Sequence, residues 1–252
     1  DSMYVWRNAD LQTLVEVDLI DESTGEVSTV PASDLGLGFR TSVLKQHYGS
    51  VPARSAVIVS VTLELERVGD GERPLAGDQL RGALGLDADA AVSLRWIREH
   101  VLATRARKGM VLDGEDPDTW SAGSFFQNAI VSEAFARTLP VECPKWPLGP
   151  AVDPVTVIPL AAFSGVVPPP IAESHDVKVS AAWLIEHAGL SRGFRFPRSR
   201  AGLSTKHTLA LTNRGGATAG EIAELARFVQ NRVQSEFGLL LQPEPVLVNV
   251  EL

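Results

Sequence analysis

Apolar and polar residues alternate most regularly at two places in the first third of the chain. Val15, Val17 and Leu19 alternate with Glu16 and Asp18, which predicts a strand over 15–20. Ser23-Thr24-Gly25 reads as a turn, and 26–30 as the returning arm of a hairpin. Over 56–65, Val57, Val59, Val61, Leu63 and Leu65 share one face of a second strand. That face needs a larger domain to cover it, so the expectation is self-association through it.

Helical spacing follows. Residues 74–85 and 92–103 read as helices; in the second, Leu94, Ile97 and Val101 fall on one side, away from Arg95, Arg98 and Glu99. A helix is expected over 130–139 and a short one over 181–187, stopped by Gly189. The strongest pattern is 219–237. Thr218 and Glu221 form a capping box, Ile222, Leu225, Ala226, Val229, Val233 and Phe237 form one stripe, and Gly238 closes it. A strand is expected over 207–213, and 239–250 is strand-like around Pro243-Glu244-Pro245. Residues 105–121 and the proline-rich 140–170 read as surface loops, where binding sites tend to lie. Helices and strands mix without a βαβ rhythm, so the expected class is α+β.

Composition narrows the function classes. The 252 residues are 44% hydrophobic and 21% charged, ordinary for a globular protein. No apolar run reaches the roughly 18 residues of a membrane helix, and 1–10 lacks the pattern of a secretory signal. With a single cysteine, Cys143, the chain has no internal disulfide, and a cytoplasmic location without a membrane partner is expected. A net charge of −8 argues against nucleic acid as a partner. There is no P-loop and no dinucleotide-binding G-x-G-x-x-G, and the five histidines are scattered without a metal-site spacing.

Three segments carry candidate chemistry. In 36–43, two glycines precede Arg40, which is either a cation for an anionic group or a solvated turn arginine. In 121–128, small residues lead to Ser124, then Phe125-Phe126, then Asn128. With no neighbouring histidine, Ser124 is no hydrolase nucleophile; its hydroxyl is a proton donor or a turn residue. In 241–246, Glu244 sits between two prolines in an apolar run, either a tuned carboxylate or an edge-strand breaker. Arg192, Arg195, Arg198, Arg200 and Lys206 form a basic cluster that reads as solvated.

Taken together, the runs Gly38-Phe39-Arg40-Thr41-Ser42, Gly123-Ser124-Phe125-Phe126-Gln127-Asn128, Lys178 to Glu186, Lys206-His207 with Asn213, Gly216-Ala217-Thr218, and Pro243-Glu244 resemble the MurB family in order and spacing. So do Lys108 to Asp113 and Trp120 to Ser124, in the style of its actinobacterial members. The resemblance implies an NADPH-dependent, FAD-mediated reduction of UDP-N-acetylglucosamine enolpyruvate in peptidoglycan synthesis. It implies that Ser124 is the proton donor, that Arg40 and Glu244 stabilise the enolate-like intermediate, and that Lys108 and Asn128 contact the substrate diphosphate. It implies a monomer in the full-length protein. The implied division is 1–106 as the end of a flavin-binding (PCMH-like) domain, 107–238 as an α/β UDP-sugar-binding domain, and 239–252 as a strand returning to the flavin side. The family's glycine-rich flavin loops do not occur in this sequence. The alternative is therefore a UDP-sugar-binding module without flavin or turnover. Phe39 stands where the family often has tyrosine, and Gly77 where a capping tyrosine is expected.

Overall fold

The structure is a computed structural model. It describes residues 13–37, 42–44, 54–65, 72–75, 78–87, 89–148, 176–247 and 249–252. Packing divides the chain into two compact units, Asp1–Arg98 and Glu99–Leu252.

In the first unit, β1 (Leu14–Asp21) lies between β2 (Val27–Pro31) and β3 (Ala56–Leu63), antiparallel to both. The expected hairpin forms because Asp21 organises its turn: its carboxylate accepts from the N–H groups of Ser23 at 2.9 Å and Thr24 at 3.0 Å. The expected inward face of β1 needs a correction. Register shifts against β3, one of them between Leu14 and Glu16, turn Val15 outward and put Leu14 inside with Val17 and Leu19. Leu35 and Val43 complete that small core. β3 ends at Leu63 rather than 65. The expected stripe is broken, because the shift between Asp18 and Leu19 pairs Ile58, not Val57 or Val59, with the buried Leu19; Val57, Ile58, Val59, Val61 and Leu63 are all exposed.

The helix expected from Pro74 begins at Asp78. Pro74 instead belongs to a two-residue strand, β4 (Arg73–Pro74), paired with β5 (Ala91–Val92), and α1 is Asp78–Leu84. α2 (Leu94–Arg107) starts two residues later than expected, because the Ser93 side chain accepts from the Trp96 N–H at 3.2 Å, and it runs on past Ala103.

Among its described residues, the second unit has two three-stranded antiparallel sheets. One has the order β10-β11-β6, from Ala201–Leu203, Ala210–Asn213 and Ser121–Ser124. The other has the order β7-β9-β8, from Ala129–Ser132, Asp176–Val179 and Lys145–Leu148. The helix expected over 130–139 is a strand and then a shorter helix, α3 (Glu133–Thr138), because Ser132 caps the Phe135 N–H at 3.2 Å. β8 tolerates Pro147 because it is an edge strand. The strand expected from His207 starts at Ala210; residues 207–209 form a turn closed by the Ala210 N–H on the His207 carbonyl at 3.0 Å.

α4 (Ala181–His187) and α5 (Ala219–Phe237) have the bounds the sequence predicts. In α5 the Thr218–Glu221 capping box is closed, and Gly238 takes the left-handed conformation. Leu225, Ala226, Val229 and Val233 are buried in the core of this unit with Phe126, Leu184, Ile185 and Leu203. The strand-like 239–250 is not a strand among the described residues. It meets the unit through an isolated bridge between Phe126 and Pro243 and through Leu241, which is fully buried in the same core. Helices with antiparallel sheets make the observed class α+β, as expected.

Candidate functional site

Ser124 is the last residue of β6, at the edge of its sheet. The pairing with β11 matches Ser121 to Thr212 and Ser124 to Ala210, so β6 holds one extra residue. Gly123, at φ 81°, adopts the left-handed backbone that such a bulge requires. The bulge turns the strand end, and the buried Phe125 and Phe126 then anchor it, ring edge to face at 5.1 Å. Ser124 itself is half-buried.

The C-terminal segment comes back to this corner. The Gln127 N–H donates to the Gln242 carbonyl at 3.0 Å, and the Glu244 N–H donates to the Phe125 carbonyl at 2.7 Å. The Gln127 side-chain amide adds a bond to the Pro243 carbonyl at 3.4 Å. Residues 242–244 thus run alongside 125–127, and the structure brings the backbone of Glu244, half-buried, against Phe125, the residue after Ser124.

On the other side of Ser124 lies the turn between β10 and β11. The Phe125 N–H donates to the Leu209 carbonyl at 2.7 Å, which fixes this turn against the end of β6. The buried Ser204 hydroxyl accepts from the N–H groups of Lys206 and His207 at 3.0 and 3.3 Å. His207 is half-buried, and that burial pushes its pKa below the ordinary imidazole value. The charges of Lys108 and Arg192 push the same way, while Glu186 opposes them. Lys108, exposed just after α2, is tied to this turn through its neighbour Gly109, which packs against Asp118, the partner of Thr205.

Acidic residues that no local pattern singled out hold this turn. Lys206 pairs with Asp116, and that bond holds the Asp116 carboxyl below the usual carboxylate range. Asp118 is almost completely buried and carries three partners: the Thr205 N–H at 2.9 Å, the Thr205 hydroxyl, and the Arg214 guanidinium at 2.8 Å. Burial pushes the Asp118 pKa up, yet the Thr205 bonds and the Arg214 charge outweigh it and leave the group lowered. Such a network is invisible to sequence spacing because its members come from separate parts of the chain.

Asn128 lies two residues beyond Phe126. Its side-chain carbonyl accepts from the Ala181 N–H at 3.0 Å, at the first residue of α4. Of the basic cluster, Arg192 pairs with Glu186 at 3.4 Å, and Arg195, Arg198 and Arg200 are exposed, as expected of a solvated loop. Arg40, Phe39 and Gly77 lie outside the described residues. Among the described residues there is no His, Cys, Asp and Glu group fit for a metal ion, and no helix is long and apolar enough to cross a membrane.

A flavin dinucleotide needs several convergent N–H groups around its diphosphate. In the first unit the left-handed Gly25 and Gly85 commit theirs to local turns, donating to Asp21 at 2.8 Å and Gly82 at 3.2 Å. These two turns do not fit the group.

A family model described as "UDP-N-acetylenolpyruvoylglucosamine reductase, C-terminal domain" matches residues 116–248. A protein of Leifsonia xyli subsp. xyli named UDP-N-acetylenolpyruvoylglucosamine reductase is 49% identical over 250 residues, covering 95% of this chain and 64% of its own length. One of the same name from Mycobacterium marinum is 45% identical over 241 residues, covering 95% of this chain and 59% of its own. The chain spans about three fifths of the length of these relatives. The crystal structure of UDP-N-acetylenolpyruvylglucosamine reductase (MurB) from Thermus caldophilus aligns at a TM-score of 0.42 and 21% identity, over 92% of this chain and 52% of that one, too loosely to place any residue.

Proposed function

We propose, on the premise that this chain belongs to the UDP-N-acetylenolpyruvoylglucosamine reductase family, that it handles the substrate in the NADPH-dependent, FAD-mediated reduction of UDP-N-acetylglucosamine enolpyruvate to UDP-N-acetylmuramate. This is a cytoplasmic step in making peptidoglycan precursors, and the full protein works as a monomer. The first unit is assigned to the flavin-binding (PCMH-like) side and the second to the UDP-sugar. Reduced flavin, regenerated by NADPH, is the hydride source of such a reaction. The chemistry assigned to the described residues is its other side, proton delivery and charge stabilisation.

Reduction places a hydride on C3 of the enolpyruvyl double bond, and negative charge builds at C2 and in the attached carboxylate. A site aimed at charge that appears only in the transition state lowers the barrier. Ser124 is assigned as the donor whose hydroxyl proton goes to C2. Glu244 and Arg40 are assigned to the carboxylate, where the planar guanidinium can bond both oxygens. Lys108 is assigned to the diphosphate, together with the side-chain NH2 of Asn128, whose carbonyl already holds α4.

One observation carries this reading: the Glu244 N–H on the Phe125 carbonyl at 2.7 Å. It supports the reading by joining the segment that carries Glu244 to the residue that follows Ser124, two parts of the chain far apart in sequence. The first test is calorimetric titration of this chain with UDP-N-acetylglucosamine enolpyruvate. Binding that weakens in Lys108→Ala is expected; no binding at all sinks the reading. In a flavin-loaded protein containing these residues, Ser124→Ala should slow enolpyruvyl reduction by about 10²- to 10⁴-fold, with flavin reduction by NADPH unchanged. Equal loss in both half-reactions removes Ser124 from the proton step.

A further inference from the structure

We propose that Asp118 is a positioning residue, which holds Lys108 on one side and the Lys206-His207 turn on the other so that both face the same anion. The role given to these groups rests on the function proposed above; the positioning itself rests on the packing around Asp118.

Two kinds of contact converge on this residue. Its carboxylate binds the turn, through the N–H and hydroxyl of Thr205, and is itself held by Arg214. Its backbone and Cβ bear the other element. Gly109, next to Lys108, packs so closely that a Cβ there would lie 3.1 Å from the Asp118 carbonyl oxygen and 3.2 Å from the Asp118 Cβ. The loop that carries Asp118 is closed on itself, since the Thr119 hydroxyl donates to the Asp113 carbonyl at 2.8 Å and accepts from the Asp113 N–H at 3.1 Å. Asp116, from the same loop, holds the Lys206 ammonium. A buried carboxylate bonded to one turn and to Arg214, on a loop packed against the other cation's neighbour, is a spacer between two positive groups. Uncompensated, those groups would repel and drift apart.

His207 reports the spacing. The charged groups that act on it are Lys108 beyond α2, Glu186 on α4 and Arg192 beyond α4. The experiment follows the His207 ring by NMR through a pH titration of the whole chain. Lys108→Met removes a repelling charge and should raise the His207 pKa. In an Asp118→Asn background the same substitution should raise it by less than half as much, because Lys108 is no longer held close. Equal increments in the two backgrounds overturn the proposal. A merely structural role for Asp118 lowers the melting temperature without changing this coupling. Should Asp118→Asn fail to give a folded spectrum, Thr205→Val, which removes only the hydroxyl bond, takes its place with the same two outcomes. A parallel titration with UDP-N-acetylglucosamine separates the two claims. Lack of binding by the unmodified chain defeats the functional reading and leaves the NMR result to decide the positioning.

Discussion

The Glu244 N–H donates to the Phe125 carbonyl at 2.7 Å, and through that bond the end of the chain becomes part of the corner that holds Ser124. The segment stays there for a physical reason. Leu241 is fully buried among the core side chains of the second unit, and its carbonyl accepts from the buried Gln230 side-chain amide at 2.8 Å.

Leu241→Ala should therefore cost about 2–5 kcal/mol, the range for a buried leucine cut to alanine. It should also loosen Glu244 from Phe125. Urea denaturation gives the first quantity, and amide hydrogen exchange at Glu244 the second. A loss of stability with unchanged protection at Glu244 would show that the tail is held elsewhere.

Gly109→Ala tests the packing beside Lys108. Gly109 has φ 69° and sits against Asp118. A side chain in the left-handed region costs about 1–2 kcal/mol before any clash. The variant should melt lower and bind UDP-N-acetylglucosamine more weakly, since Lys108 moves with its neighbour. A thermal melt and a calorimetric titration check both.

Thr218→Ala should cost about 1 kcal/mol, the usual loss for an N-cap. The Thr218 hydroxyl accepts from the Glu221 N–H at 3.2 Å, while Glu221 answers the Thr218 N–H at 2.9 Å and also holds the Arg200 N–H at 2.8 Å. Thr218 and Glu221 bond to each other and to Arg200, none of which carries an assigned substrate contact, so denaturation should shift while ligand affinity does not.

The pH dependence has a definite sign. His207 has a folded pKa below its reference value of 6.5, so below that pH the unfolded chain binds the proton more readily than the folded one. Stability should fall as the pH drops through about 6.5 towards the folded value. Asp118 has a folded pKa below 3.8, so its contribution is present above that pH and is lost on further acidification. His207→Gln should flatten the melting temperature between pH 7 and 5.5 and leave the acid limb in place. An unchanged slope over that interval would remove His207 as its source.

Several elements were legible from the sequence because their determinants are local. α5 and its capping box, α4, and the β1–β2 hairpin depend on residues a few positions apart, within reach of one helical turn or one tight turn. Ser124 and Glu244 stood out for the same reason, as a hydroxyl among small residues and a carboxylate between prolines. β6 was not legible as a strand, because Ser121 to Ser124 has no alternating apolar face; its conformation comes from bonding to β11 and from the bulge at Gly123. β9 is a short segment that gains its bonds to β7 only when that distant partner arrives, and β10, three residues long, is too short to show a pattern.

The sequence by itself determined the α+β class, the bounds of α4 and α5 and the chemical types at the candidate site. The tertiary structure alone decided which of those groups share one corner. It joined the Glu244 backbone to Phe125, packed Gly109, next to Lys108, against Asp118, and bonded the buried Asp118 to Thr205 and Arg214. The reason is that these pairings join segments far apart in the chain. Backbone hydrogen bonds and core burial close them, and no local spacing records those contacts.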